Sequence, residues 1–418
     1  MDRVILHCDC NGFYASVECL LQPSLRQVPM AVCGDPDSRH GIILAKNELA
    51  KGYGIQTAET LWQARQKCPE LVLVPPHREE YLRCSRLVNE IYQQYTDQVE
   101  PFGIDESWLD VTGSRQLFGE GPEIADQLRR RVREEVGLTI SVGVSFNKVF
   151  AKLGSDYRKP DATTVITREN FRQIVHPLPV SALLYVGRSA RQTLESLGIH
   201  TIGQLAEAAP SALTPRMGKL GPQLIAYARG EEDSPVRYIW EEQEVKSVGN
   251  SITFPRNLTT REEVNAGITA LADEVAGRLR KHGLQCATVQ IQIKDPQFRV
   301  ISRQKALEQP TDLEREIRKA ALELVWNNWT PGAPIRMLAV TGAALTSGGG
   351  EGMQLTFYTG EEEKRKRQRR LEQAMDRVRD KYGKEALSFG RLLHNDLGLR
   401  GAGKERSEEN DSGDSGQE

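Results

Sequence analysis

Three carboxylates are the side chains of this 418-residue chain best suited to chemistry. Asp9 follows a short apolar run, Val4–Cys8, that reads as a buried strand. Asp105 and Glu106 are adjacent within EPFGIDESWLDVT, residues 100–112, which alternates as a strand pair does. Brought together, three acids would be costly unless cations neutralised them. Hard oxygen donors suit Mg²⁺, which takes one or two protein carboxylates and completes its shell with waters and phosphates. Two such ions can clamp the attacking and leaving oxygens of an in-line phosphoryl displacement. Spacing alone leaves another reading open, that these are surface acids beside turns, because no sequence rule brings Asp9 next to Asp105.

The elements that must position these acids read as follows. Helical composition spans 13–21, 44–52 and 58–67, and His77–Asp97 carries Tyr81, Leu87, Val88, Ile91 and Tyr95 near helical spacing. Leu138–Val144 reads as a strand leading into a helix from Asn147. Strands and helices in no strict alternation predict an α+β core. From about Leu178 the chain becomes helical, with two short helices around a glycine turn in 182–205 and a loose repeat at 217–230. Residues 231–245 are polar and read as a linker. Strand-like stretches return at Lys246–Thr253, Cys286–Lys294 and Arg336–Thr346, separated by helices at 262–282 and 312–326, which predicts a second α+β domain. After the break at Ser347-Gly-Gly-Gly-Glu, the residues Leu371, Met375, Val378 and Tyr382 mark an amphipathic helix.

Composition narrows the class. Acidic Asp2 and Asp9 interrupt the opening residues, which argues against a signal peptide, and no stretch approaches the ~18 apolar residues of a membrane span. Seven scattered cysteines without paired CxxC spacing fit reduced thiols in a cytosolic protein better than disulfides or zinc. The net charge of −2 hides an uneven distribution. Residues 405–418 hold six acids against Arg406, so the remainder is net positive, and a tail of that kind is expected to be disordered. Basic groups cluster at Arg129–Arg133, at Lys148, Lys152, Arg158 and Lys159, and from Lys364 to Arg370. Clusters of this kind serve either as solvated faces or as contacts to nucleic acid.

Three runs taken together carry a resemblance: DCNGFYASVE at 9–18, GIDESWLDVT at 103–112 and SVGVSFNKVFAKLGSDYRKP at 141–160. The chain resembles the Y-family DNA polymerases, and within them the bacterial DNA polymerase IV group. The resemblance implies a right-hand polymerase with a palm (1–10 and 78–166), small fingers (11–77) and a helical thumb with a helix-hairpin-helix (167–232). A linker (233–245), an α+β little finger (246–346), a clamp-binding segment with an amphipathic helix (347–403) and an acidic tail (404–418) would follow. It implies template-directed, error-prone synthesis in translesion replication and DNA repair, without a proofreading exonuclease. The expected setting is the bacterial cytoplasm, in association with the nucleoid. Primer–template DNA, deoxynucleoside triphosphates and a sliding clamp are the expected partners, and the protein is expected to act as a monomer.

Carried over by position, Asp9, Asp105 and Glu106 match the metal-binding acids of the family, with Cys10 supplying its main-chain carbonyl to one of two Mg²⁺ ions. Tyr14 matches the steric gate that occupies the place of a ribose 2′-OH, Phe13 lies beneath the sugar, and Lys159 matches the lysine that neutralises the triphosphate. The fingers depart from the family pattern: Ala45, Glu48 and Lys51 stand where many members place Thr or Ser, Tyr and Arg, so Lys51 offers a point charge in place of a bidentate fork. Segment 182–205 resembles a helix-hairpin-helix that keeps Gly187 but has Tyr185 where the family commonly has Gly. Lys246 and Ser247 open a strand expected to follow the DNA backbone. Gln354-Leu355-Thr-Phe357-Tyr358 resembles the peptide by which bacterial polymerases dock on the clamp. Two rivals are a catalytically weakened accessory protein of the same fold, motivated by Ala45 and Glu48, and a palm-fold nucleotide cyclase.

Overall fold

The computed structural model describes residues 2–34, 41–241, 244–347, 359–392 and 396–399. The chain forms two compact units, Met1–Glu242 and Gln243–Glu418. The expected clamp peptide at 354–358 and the acidic tail lie outside the described residues.

In the first unit the strands are β1 (Ile5–Cys10), β2 (Met30–Cys33), β3 (Ile43–Lys46), β4 (Val72–Val74), β5 (Val99–Pro101), β6 (Glu106–Asp110), β7 (Ile140–Ser145) and β8 (Thr163–Ile166). They make a five-stranded sheet, β5-β6-β1-β7-β8, and a three-stranded sheet, β3-β2-β4. β1 is central and wholly buried, as its run of apolar residues requires. The segment 44–52, read as one helix, divides into β3 and the short helix Glu48–Gly52, which Asn47 caps by accepting from Ala50 N–H. A side chain that caps a helix start is a natural boundary between the two.

The helix Lys148–Tyr157 lies unusually close to the sheet. A Cβ added at Gly143 of β7 would sit 1.9 Å from Ala151 O, and Gly154 faces Gly143 from the helix side. Two glycines thus set the distance at which the helix delivers Lys148, Lys152 and Ser155 to the sheet. Further on, the helices Arg188–Ser196, Ile202–Glu207, Pro210–Met217 and Leu220–Ala228 share one apolar core with Phe146 and Phe150. The glycine turn inside 182–205 falls at Gly198, whose φ is +77°, while Gly187 precedes the helix Arg188–Ser196.

Residues 231–241, read as part of a linker, are tied to this unit. Val236 is buried, Gln98 Nε2 donates to Val236 O at 3.0 Å, Ile239 N donates to Asp97 O at 3.0 Å, and Arg237 pairs with Glu100 at 3.2 Å. Polarity suggested a free segment, but the polar groups are the means of attachment.

The second unit holds β9 (Ser247–Leu258), β10 (Leu284–Lys294), β11 (Val300–Thr311) and β12 (Ile335–Ser347) in the order β11-β10-β12-β9, all antiparallel. The helices Arg261–Lys281 and Glu314–Trp326 share the apolar core of this sheet. β11 escaped the sequence reading because it is exposed over most of its length and carries no apolar alternation. The helix Thr359–Tyr382 spans the four marker residues: Leu371 is 55% and Tyr382 67% exposed, while Met375 and Val378 are half-buried. Beside them Glu372 is buried against Arg280, so charge pairs contribute to its docking.

Candidate active site

Register places the site. Asp9 of β1 lies opposite Glu106 of β6, and His7 lies opposite Trp108. Directly opposed residues of an antiparallel pair share a face, as do residues two apart on one strand. His7, Asp9, Glu106 and Trp108 therefore share one face of the sheet, with the thiols of Cys8 and Cys10 buried in the core on the other. Ligand atoms of His7, Asp9 and Glu106 fall within 4.8 Å of one another, a spacing compatible with one metal ion.

Asp105 was expected inside the strand, where period-two alternation would splay it from Glu106. It lies just before β6, in the turn closed by Phe102 N to Glu106 O (3.0 Å) and by Cys10 N to Asp105 O (2.9 Å). Gly103 shows the consequence. A Cβ there would lie 3.4 Å from Asp105 Oδ1 and 3.6 Å from Glu106 Oε1, so both carboxylates converge on it. The irregularity that convergence demanded is the hairpin turn itself.

The helix Lys148–Tyr157 and the loop after it supply the counter-charge. Lys152 pairs with Glu106, Lys159 Nζ lies 2.8 Å from Asp9 and 2.7 Å from Asp156, and Lys148 Nζ lies 2.7 Å from Glu100 and 4.6 Å from the Trp108 ring centre. The step of four keeps Lys148 and Lys152 on one helical stripe, and Lys159 follows from the loop after the helix. Asn11 steadies the loop, its Oδ1 accepting from Asp161 N–H at 2.8 Å. Beneath the acids, His7 Nδ1 lies 2.8 Å from Ser155 Oγ and Nε2 lies 3.3 Å from Glu106 Oε2.

These surroundings separate the acids. Burial, then the Asp9 and Glu106 charges, push the Asp105 carboxyl up to about 6. Burial also raises Asp9, against the pull of Lys159. Burial works the same way on Glu106, but the His7 ring and the Lys152 ammonium outweigh it and hold that carboxyl at about 2. His7 is lowered by burial, which keeps the ring neutral. A cluster whose acids differ this widely is a mark of functional sites. Its donors, carboxylate oxygens and one imidazole short of positive charge, fit a divalent cation.

The aromatic residues of the helix Phe13–Leu21 pack with the core that buries Cys8 and Cys10. Phe13 is buried, and half-buried Tyr14 stacks on Tyr81 with ring centres 4.3 Å apart at 13°. The remaining expected contacts lie elsewhere. Lys51 is exposed and 3.4 Å from Glu48. Gly187, Lys246 and Ser247 are exposed, and Tyr185 sits at φ +68°, the left-handed region that glycine enters without strain. The sequence reading missed His7, Lys152, Glu18 and Tyr81 as site residues. Two signals were available: His7 is two residues before Asp9 on a strand, and Lys152 follows Lys148 by one helical turn.

In its fold, 82% of the chain aligns with a solved Y-family DNA polymerase chimera, covering 98% of that chain at a TM-score of 0.71 and 22% identity. The first unit matches the impB/mucB/samB family over residues 8–156, and residues 245–357 match the C-terminal domain of the same family. The chain is 46% identical to a DNA polymerase IV of Acetivibrio thermocellus, over 96% of this chain and 99% of that protein. It is 35% identical to DNA polymerase IV 1 of Bacillus subtilis, over 94% of this chain and 93% of that one. The chain belongs to the impB/mucB/samB family of Y-family DNA polymerases. No helix among the described residues is long and apolar enough to cross a membrane.

Proposed function

We propose that this chain is a template-directed, error-prone DNA polymerase of the translesion class, acting on primer–template DNA and deoxynucleoside triphosphates through Asp9, Asp105 and Glu106. The observation that carries the reading is the convergence of those three acids at one end of β1 and β6, with Lys159 beside them.

Asp9, Asp105 and Glu106 would hold two Mg²⁺ ions. The buried Cys10 thiol points away from the acids, so any part it takes falls to its main-chain carbonyl. When bound, such ions stabilise charge on the attacking and leaving oxygens of an in-line displacement. The primer 3′-OH attacks the α-phosphorus of the incoming nucleotide, its proton is lost, the bond to the bridging oxygen breaks, and pyrophosphate leaves. Lys159, which neutralises Asp9 in the free protein, turns to the triphosphate when the nucleotide enters. Tyr14 fills the space of a 2′-OH, with Phe13 supporting the sugar from below.

We assign the palm to the five-stranded sheet, the fingers to the β3-β2-β4 sheet and its helices, the thumb to the bundle after Leu178, and the little finger to the β11-β10-β12-β9 sheet. Gly187, Lys246 and Ser247 are exposed as backbone contacts require, and such contacts place a duplex without reading its sequence. The peptide at 354–358 is the proposed docking point on a sliding clamp. The test is extension of a primed template with Mg²⁺ and all four nucleotides, on undamaged and abasic strands. Extension that disappears in Asp105→Ala supports the reading; binding without extension on every template would overturn it in favour of an accessory protein.

A further inference from the structure

Behind Tyr14 lies a buried carboxylate that the reaction does not use. Glu18 follows Tyr14 by one helical turn and is 2% exposed. Tyr81 donates its hydroxyl to Glu18 Oε1, His77 Nδ1 lies 2.9 Å from Oε2, and His77 N–H donates to Oε1 at 3.3 Å. An ionised carboxylate out of water is tolerated only when its oxygens are so occupied. Tyr81 is itself 1% exposed, and its ring is the surface on which Tyr14 lies, 4.3 Å away and 13° from parallel. The same ring stands 6.2 Å from that of Phe13 at 60°, so Tyr81 touches both residues assigned to the sugar. Burial, reinforced by Glu18, raises the Tyr81 phenol above its ordinary value, so the hydroxyl keeps its proton and remains a donor.

We propose that Glu18 and Tyr81 are positioning residues for sugar selection: the Glu18 carboxylate fixes the Tyr81 hydroxyl, and the ring so held sets the plane of Tyr14. A gate that rejects one hydroxyl by contact depends on ring placement to a fraction of an ångström, because repulsion rises steeply with approach. Tyr14 is half-buried, and the stacked ring of Tyr81 restrains it from one side. The inference rests on Tyr14 acting as the gate, and the experiment separates the two.

The full chain, bound to a primed template with Mg²⁺, is assayed for kcat and KM with matched deoxy- and ribonucleoside triphosphates, alongside thermal melting. Tyr14→Ala tests the gate alone and should erase most of the preference for deoxyribose. Glu18→Gln should lower that preference by roughly three- to tenfold, the range set by one stacked aromatic pair, mainly through a lower KM for the ribonucleotide. Tyr81→Phe keeps the ring, removes the held hydroxyl and should shift selection the same way; it carries the test if Glu18→Gln folds poorly. In the Tyr14→Ala background both changes should be silent, because coupled residues are not additive. Unchanged selection with lowered melting, or an equal effect with and without Tyr14, would overturn the positioning role. Intact selection in Tyr14→Ala would remove the gate, and the proposal with it.

Discussion

Two seams of charge in this chain use the same residue types to opposite ends. In the second unit, Arg280 is 6% exposed and holds Glu372 and Asp376 while donating to Asp312 O at 2.7 Å. Around it, Arg365 pairs with Glu316 at 2.8 Å, Arg369 with Asp312 at 2.7 Å and Arg379 with Asp273 at 3.0 Å. Each acid meets a guanidinium, whose planar fork fixes geometry and never loses its charge. At β1 and β6 the balance differs. Among the described residues, Asp9, Asp105 and Glu106 face Lys152, Lys159 and a neutral imidazole. Ammonium groups on flexible stems can be released, and burial, then repulsion from Asp9 and Glu106, leaves Asp105 near 6. Acids that each meet a guanidinium are structure; acids tended by releasable lysines are a site waiting for cations and phosphate.

The sharpest way to test that contrast is to remove one central charged side chain from each seam. Asp105→Ala should reduce primer extension by about a thousandfold or more, since a bound cation supplies several kcal/mol to phosphoryl transfer, and should leave melting nearly unchanged or raised. Arg280→Ala should do the reverse. Leaving Glu372 and Asp376 buried without their partner costs about 3–5 kcal/mol, read by denaturant unfolding, with extension per folded molecule retained at low temperature. If Arg280→Ala abolishes extension at full folding, or Asp105→Ala unfolds the chain, the division between the seams fails.

The two seams also differed in how well they could be read. The acids of the site are in the sequence, but bringing them together depends on the register Asp9↔Glu106 and on a turn at Phe102–Asp105, both set by pairing between distant segments. Family resemblance supplied that long-range step; periodicity could not. The helix Thr359–Tyr382 was found from its apolar residues, but its ion pairs to the sheet and helices of the same unit were not, because paired Arg and Glu side chains leave no periodic hydrophobic trace. β11 was lost for the related reason that a strand paired on one side and exposed along its length need not alternate. His7 reads as an ordinary residue of a buried strand, and only the strand opposite shows what its ring faces.

A change of pH separates the seams more gently. With Asp105 near 6 in the free protein, a cation must displace a proton from that carboxyl once the pH falls below 6. Binding of the acidic site to Mn²⁺, followed by titration calorimetry without DNA, should weaken by roughly fourfold from pH 7.5 to 5.5 and take up a matching proton release. The sign follows from the raised value: the protonated form competes at low pH, so affinity rises with pH and levels off above about 7. The guanidiniums of the arginine seam keep their charge throughout this window and add no pH dependence of their own. Affinity that is flat between these pH values would show that Asp105 is ionised throughout and that the acids are better compensated than the geometry indicates.

The smallest effect belongs to the fingers, where an exposed pair stands between the two extremes. Lys51 is 58% exposed and reaches Glu48 at 3.4 Å, one helical turn away. Pairs of this kind contribute about 0.2–1 kcal/mol, so their loss changes an equilibrium by no more than about fivefold. If Lys51 serves the triphosphate, Glu48 competes with it for the same ammonium. Glu48→Gln should then lower the KM for deoxynucleoside triphosphates by about two- to fivefold, with kcat nearly constant, since uniform binding is strengthened without touching the reacting groups. The gain should fade as ionic strength rises, because exposed charges are screened within about 8–10 Å at moderate salt. Lys51→Gln should remove it altogether. A KM that ignores both substitutions would place Lys51 outside the nucleotide's reach and leave Lys159 as the only lysine of the pair to meet the phosphates.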